Sequence, residues 1–300
     1  MNLLVTGATG HSGMLFLEDL NNKPEKYNEV HVVTRNESQN EFDHLKNLNI
    51  IEHVGDLKSE EFAEKITRNI DTILHIAGIQ MSRNIFNAAV KNKVDWVIAV
   101  HTTGRYSKFK SASAEYIEIE DELLTMRDKI KMTILRPTMI FGSAKDRNMY
   151  RLVKFIDKYP VFPIFGNGNN LMQPVTGRDL AKAYMSVIDN KNTTVNRNYN
   201  LSGKYPIKYK TLVKTIAEKL NKKVTLIKIP IFISYYSVLL AQKLIPKFPL
   251  NEEQILRMKE DKDFTHLAAE KDFRYNPESF DEGIEIEIKE YRGEKYSEKV

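Results

Sequence analysis

The chain contains no cysteine. That removes disulfides, thiolate metal sites and cysteine nucleophiles together. Its seven histidines show no metal-ligand spacing, so no metal is expected. Long apolar runs are missing too. The most apolar late stretch, residues 229–240, is short for a membrane span and carries Pro230, Ser234, Tyr235, Tyr236 and Ser237. The apolar run at the start is short and has no basic leader, so no signal peptide is expected. A soluble cytoplasmic protein without membrane association is the resulting expectation. Glycine is scarce, 13 in 300 residues, so three glycines within the seven positions 7–13 stand out.

What is present points to one large core. At 300 residues and 42% hydrophobic, the chain suits one big domain or one domain with a smaller lobe. Net charge is +5 and the pI about 9.0, which suits an anionic ligand, including a phosphorylated cofactor. The lysines are dispersed among 40 acidic residues, and the lysine-rich region 204–223 is spaced along a solvated helix. No nucleic-acid motif appears, so nucleic acid is not an expected partner.

Strand-like runs at residues 3–5, 30–33, 50–54, 72–77, 96–100 and 132–135 alternate with helical patterns such as 85–90 and 115–126. This alternation predicts an α/β fold, a doubly wound parallel sheet with helices on both faces. Past Arg136 and Pro137 the texture changes: Pro160, Pro163, Gly166, Gly168 and Pro174 cluster, then come a helix over 179–188 and a strand over 199–202. Asn251 before Glu252 and Glu253 reads as a helix N-cap. We expect a dinucleotide-binding region over 1–160, and over 161–300 the late strands and a smaller cap interleaved with it. The sequence permits a homodimer without specifying one.

Ligands in such folds sit outside the carboxyl ends of the strands. After the first strand, Gly7, Thr9, Gly10, His11, Ser12 and Gly13 form a glycine turn into a helix, where unpaired N–H groups and the positive helix end face an anion. After the second strand stands Arg35, where an acid often grips the ribose hydroxyls. A guanidinium offers a planar charged fork for a phosphate, favouring NADP(H) over NAD(H); the alternative is a surface pair with Glu37. Asp56 and Leu57 follow the third strand, where the acid could accept from an adenine amino group or cap the next helix. Ala77 and Gly78, small enough for close backbone approach, follow the fourth.

Six segments carry a family resemblance: TGATGHSG at 6–13, GDL at 55–57, HIAG at 75–78, LRPTMIFG at 135–142, FGNGNNLMQPVTGRDLAKA at 165–183 and YNLSG at 199–203. In them the chain resembles the short-chain dehydrogenase/reductase superfamily, in its extended and atypical branches (NAD-dependent epimerase/dehydratase-like, NmrA-like). The resemblance implies a Rossmann domain binding NAD(P) and a C-terminal region closing over a small-molecule substrate. It implies nicotinamide contacts from Pro137, Thr138, Met139 and Ile140. It places Gly177, Arg178 and Asp179 at the base of the cap, the acid organising structure.

The family's active site uses a hydroxyl residue after the fifth strand and a Tyr-x-x-x-Lys. A nearby ammonium stabilises the phenolate, and lysine four positions on shares the helix face. Tyr106 and Lys110 have that spacing, after Thr102 and Thr103. Tyr106 follows Thr103 by only three residues, however, where the family makes a longer excursion. The later Tyr116 has Glu120 in the lysine's place. Three readings stay open: a Tyr106–Lys110 dyad; catalysis through His101, Lys108 or Tyr116; or no dyad. The expectation is an NADP(H)-dependent oxidoreductase or epimerase acting on a small carbonyl or hydroxyl compound, such as a nucleotide-linked sugar. The alternative is a catalytically silent NAD(P)H-binding sensor or scaffold. Residues 162–173 and 229–250 are expected to wall the substrate pocket.

Overall fold

The structure is a computed structural model describing residues 1–36, 40–109, 113–144, 146, 148–233, 235, 236, 238 and 252–294. Lys110, Glu37 and Asn251 lie outside these residues, and with them the Lys110 half of the expected dyad, the Arg35–Glu37 pair and the Asn251 cap.

Seven strands build the main sheet. In chain order they are β1 (Asn2–Thr6), β2 (Glu29–Thr34), β3 (Ile50–Val54), β4 (Thr72–His75), β5 (Trp96–Val100), β6 (Lys131–Pro137) and β11 (Asn198–Leu201). Their spatial order is β11-β6-β5-β4-β1-β2-β3, and every neighbouring pair is parallel. The predicted α/β class and doubly wound parallel sheet are therefore present. β4 stops two residues before the predicted end, because the Ala77 N–H leaves the ladder and donates to the Thr6 hydroxyl at 3.3 Å.

Strand side chains alternate between the faces, so each strand feeds two apolar layers. Leu3, Val5, Val30, Val32, Ile98 and Leu135 face one layer, which holds α1 (His11–Asn21) and α6 (Gly177–Asp189). Phe16 and Tyr184 meet there edge-to-face, their centroids 6.2 Å apart. Leu4, Ile73, Val97, Ala99, Met132 and Ile134 face the other layer, with α2 (Glu60–Ile66), α3 (Ser82–Lys91) and α4 (Ala114–Leu124). Each fully buried Leu, Ile or Phe contributes about 1.5–3 kcal/mol.

The second half adds three small pairings beyond the sheet's carboxyl edge. β7 (Ile140–Phe141) pairs with β10 (Val175–Thr176), β8 (Val161–Phe165) with β13 (Thr225–Ile229), and β9 (Leu171–Met172) with β12 (Ile207–Lys208). A third apolar cluster ties α5 (Met149–Lys158), α7 (Tyr209–Lys219) and the helix Phe280–Tyr291 to them. No helix among the described residues is long and apolar enough to cross a membrane.

Candidate active site

The turn after β1 is shaped by what it cannot hold. Gly7 sits at φ +73°, and a Cβ there would lie 2.9 Å from the Ala77 nitrogen. A Cβ on Gly13 would lie 2.3 Å from the Gly7 oxygen. Both neighbours are backbone and cannot yield. Gly10 N-caps α1 without a side-chain bond, and no acid stands in the helix's first turn. The positive end of α1 is thus left without a carboxylate from its own helix. A dinucleotide phosphate fits this turn: the backbone is bare of side chains where the anion must approach.

The other expected contacts are spread along the same carboxyl edge. The His11 ring is wedged against α6; a Cβ on Gly177 would lie 2.2 Å from its Cδ2. Ser12 is buried and accepts from the Tyr184 hydroxyl at 3.4 Å. Arg35 is exposed just past β2. Asp56 accepts the Lys58 N–H at 3.0 Å and so closes a turn, while Ser59 caps α2. The helix-cap alternative for Asp56 thus falls to Ser59. Leu57 turns into the core. Gly78 is less constrained than Gly7, since a Cβ there would meet only the Gln80 side-chain oxygen at 3.0 Å.

A cavity of about 860 Å³ opens at the ends of β5 and β6. It gathers Thr102, Thr103, Tyr106, Lys108, Thr138, Met139 and Ile140. Thr102 accepts the Gly104 N–H at 3.0 Å, and Thr103 donates to the Pro137 carbonyl at 3.2 Å. The Thr138 hydroxyl donates to the Gln173 carbonyl. Tyr106 stands on the turn Thr103–Tyr106, not on α4. Its hydroxyl donates to Asn200 Oδ1 at 3.2 Å and accepts from Arg136 Nη1 at 2.9 Å. Tyr116 is on α4 and packs against the apolar layer beneath the sheet, away from this cavity.

Beneath Tyr106 lies a buried charge cluster. Glu120 accepts from His101 Nδ1 at 2.9 Å, from Arg136 Nη2 at 2.6 Å and from Arg105. Burial opposes ionisation of Glu120, but the hydrogen bonds from His101 and Arg136 and the charge of Arg136 outweigh it and hold its pKa at about 2. His101 Nε2 lies 3.3 Å from Ser82 Oγ, so both ring nitrogens have partners and the ring does not face the cavity. His75 is a second buried histidine. Its Nδ1 is 2.7 Å from Thr6 Oγ1, its Nε2 has no partner, and burial, with the nearby His101, depresses its pKa to about 3.

The charge cluster was not predicted as a unit. A signal existed: Tyr116, Ile119, Glu120 and Leu123 follow helical spacing, so Glu120 lies on the stripe that α4 buries. The cavity wall joins an expected segment to one the sequence did not single out. Met172 and Gln173 come from the expected 162–173 segment, and Arg257, Lys259, Glu260, Asp261, Lys262 and Phe264 supply the opposite side; of the expected 229–250 segment, residues 234, 237 and 239–250 lie outside the described residues. No group of three or more His, Asp or Glu side chains among the described residues could hold a metal ion.

Comparisons with known proteins agree with this architecture. No curated protein matches the chain by sequence. Among solved structures, UDP-glucuronic acid 4-epimerase from Bacillus cereus, in complex with UDP-glucuronic acid and NAD, superposes with a TM-score of 0.75 at 17% identity, covering 98% of this chain and 99% of that one. An NADPH-dependent quinone oxidoreductase from Escherichia coli, complexed with NADPH, gives 0.73 at 18% identity, covering 94% and 98%. A nucleoside-diphosphate-sugar epimerase from Staphylococcus aureus gives 0.75 at 17% identity, covering 95% and 100%. At these identities the likeness is one of fold. The model of the NAD dependent epimerase/dehydratase family, by contrast, matches residues 3–202, from β1 through β11. With two thirds of its length so matched, the chain belongs to the NAD dependent epimerase/dehydratase family.

Proposed function

We propose that the protein is a nicotinamide-dependent oxidoreductase or epimerase acting on a small carbonyl or hydroxyl compound. The observation that carries this reading is one cavity lined by Thr102 and Thr103 from the turn after β5 and by Thr138, Met139 and Ile140 from the segment after β6. The glycine turn after β1 opens at the same edge of the sheet. Gly7, Thr9, Gly10, His11, Ser12 and Gly13 would hold the dinucleotide phosphates, and Arg35 a 2′-phosphate. Asp56, Leu57, Ala77 and Gly78 would flank the adenosine half, and Pro137–Ile140 the nicotinamide. The bound nicotinamide supplies a hydride acceptor or donor.

The chain's own residues position the substrate and move its proton. Thr102 and Thr103 hold the substrate oxygen. Tyr106 exchanges its hydroxyl proton with that oxygen, and Lys110 stabilises the phenolate. Phe264 packs beside Tyr106, ring centroids 5.4 Å apart. Tyr106→Phe is expected to abolish turnover while changing cofactor affinity less than twofold. Unchanged turnover would remove Tyr106 from the mechanism.

One observation favours a second reading, a cofactor-binding sensor without turnover. The Tyr106 hydroxyl already spends its proton on Asn200 and its lone pair on Arg136. A sensor must bind NADPH and NADP with different affinities, since equal binding shifts no equilibrium. Titration with both, alongside a panel of carbonyl substrates, separates the two readings.

A further inference from the structure

A second cavity of about 590 Å³ adjoins the first and shares Met139, Asn148, Met172 and Lys262 with it. The two form one site with unlike halves. The inner half is walled chiefly by apolar side chains, among them Met149, Leu152, Phe155, Phe162 and Met258. No carboxylate among the described residues lines it. Its cations are Arg151 and, at the junction with the outer half, Lys262.

Lys262 is fixed by its backbone. Its N–H donates to the Leu171 carbonyl at 2.8 Å, and it bridges to Met172. The acids beside it are engaged elsewhere. Glu260 accepts from the Ser107 hydroxyl at 2.8 Å and the Lys108 N–H at 2.6 Å, and Asp261 accepts the Leu171 N–H at 2.7 Å. No hydrogen bond or ion pair joins the Lys262 ammonium to another described residue. Burial lowers its pKa, Arg257 adds to the effect, and Glu260 offsets only part of it. A half-buried ammonium with no directly paired carboxylate, its charge only partly offset by Glu260, is costly, and a ligand anion would relieve that cost.

A polar sugar ring suits the inner half poorly. Asn148, Asn170 and Tyr209 are that half's uncharged polar groups, against nine apolar side chains, so most of a sugar's hydroxyls would lose water and meet methionine, leucine, proline and phenylalanine instead. Building on the oxidoreductase reading above, we propose that this site takes an amphipathic carboxylate: an apolar body in the inner cavity and a carboxylate paired with Lys262. The carbonyl or hydroxyl to be acted on then lies in the outer half, beside Thr102 and Tyr106.

Calorimetric titration with octanoate, octanol and UDP-glucose tests this without any turnover. Wild-type protein is expected to bind octanoate about tenfold more tightly than octanol, a difference of about 1.4 kcal/mol. Lys262→Met should bring the two within twofold. Phe155→Ala, at a half-exposed wall position, should weaken both alike. Equal binding of octanoate and octanol to wild type, or binding of UDP-glucose in preference to both, overturns the proposal. Titration of the same samples with NADPH and NADH reports on the oxidoreductase reading separately: no binding of either by wild type would sink that reading whatever octanoate does.

Discussion

His101 Nδ1 donates to Glu120 Oε2 at 2.9 Å, in a pair almost wholly shielded from solvent. The pair joins the end of β5 to the middle of α4, and through Arg136 it reaches Tyr106 on the cavity wall. Glu120 is the only carboxylate touching all three of His101, Arg105 and Arg136 among the described residues. Removing it leaves the buried Arg136 without a counter-charge, while Arg105 keeps Asp121 at 2.8 Å. Glu120→Ala is therefore expected to cost about 3–5 kcal/mol of stability, measured by urea denaturation. A cost below about 1 kcal/mol would show that the cluster is not a keystone of the fold.

Acid should destabilise the protein in two windows. His75 falls from its ordinary 6.5 to about 3 because burial, with His101 nearby, favours its neutral form. The unfolded chain binds that proton first, so stability present above pH 6.5 is lost as pH falls toward 3. At pH 5 the loss from this group is about 2 kcal/mol. Glu120, depressed from 4.5 to about 2, contributes stability above pH 4.5 that disappears as pH falls toward 2. Melting temperatures of wild type and His75→Gln between pH 7 and 4.5 should converge if this assignment holds. Parallel curves would refute it.

Glu287 behaves in the opposite sense. It is fully buried on the helix Phe280–Tyr291, where its Oε2 accepts the Gly142 N–H at 2.9 Å. Burial first, and then the charge of Asp146, raise its pKa to about 9. Glu287 Oε1 and Asp146 Oδ2 both lack a hydrogen-bond partner, and a hydrogen bond to Asp146 is a further cause that favours the protonated form of Glu287. Stability from this group is complete below pH 4.5 and is lost as pH rises through 9. Glu287→Gln should therefore melt several degrees above wild type at pH 8, with the gap closing at pH 4.5. A variant that melts lower at pH 8 would contradict the protonated form.

Arg35 tests the cofactor. Arg35→Asp should weaken NADPH binding at least tenfold more than NADH binding, because only NADPH carries the 2′-phosphate. Fluorescence titration of both cofactors reads this directly. Equal weakening would separate Arg35 from cofactor choice.

The fold was legible because its signals are local. Runs such as Trp96–Val100 and Ile50–Val54 are continuous strands in sequence and in space, and the glycines of residues 7–13 can make only a narrow range of turns. Side chains at strand ends could be nominated the same way, and Thr102, Thr103, Tyr106, Thr138, Met139 and Ile140 do share one cavity.

Partnership was decided only by the tertiary structure. Residues 15 to 30 positions apart meet in the Glu120 cluster, and Lys262 reaches the cavity from a segment 124 positions beyond Thr138. Nothing local in EYIEIEDELL says that the acid at 120 answers two arginines and a histidine rather than Tyr116. Hydrophobic period fixes which face of a helix is buried. What a buried charge meets there depends on the packing of α4 beneath β5 and β6, and a buried carboxylate survives only where that packing supplies its cations.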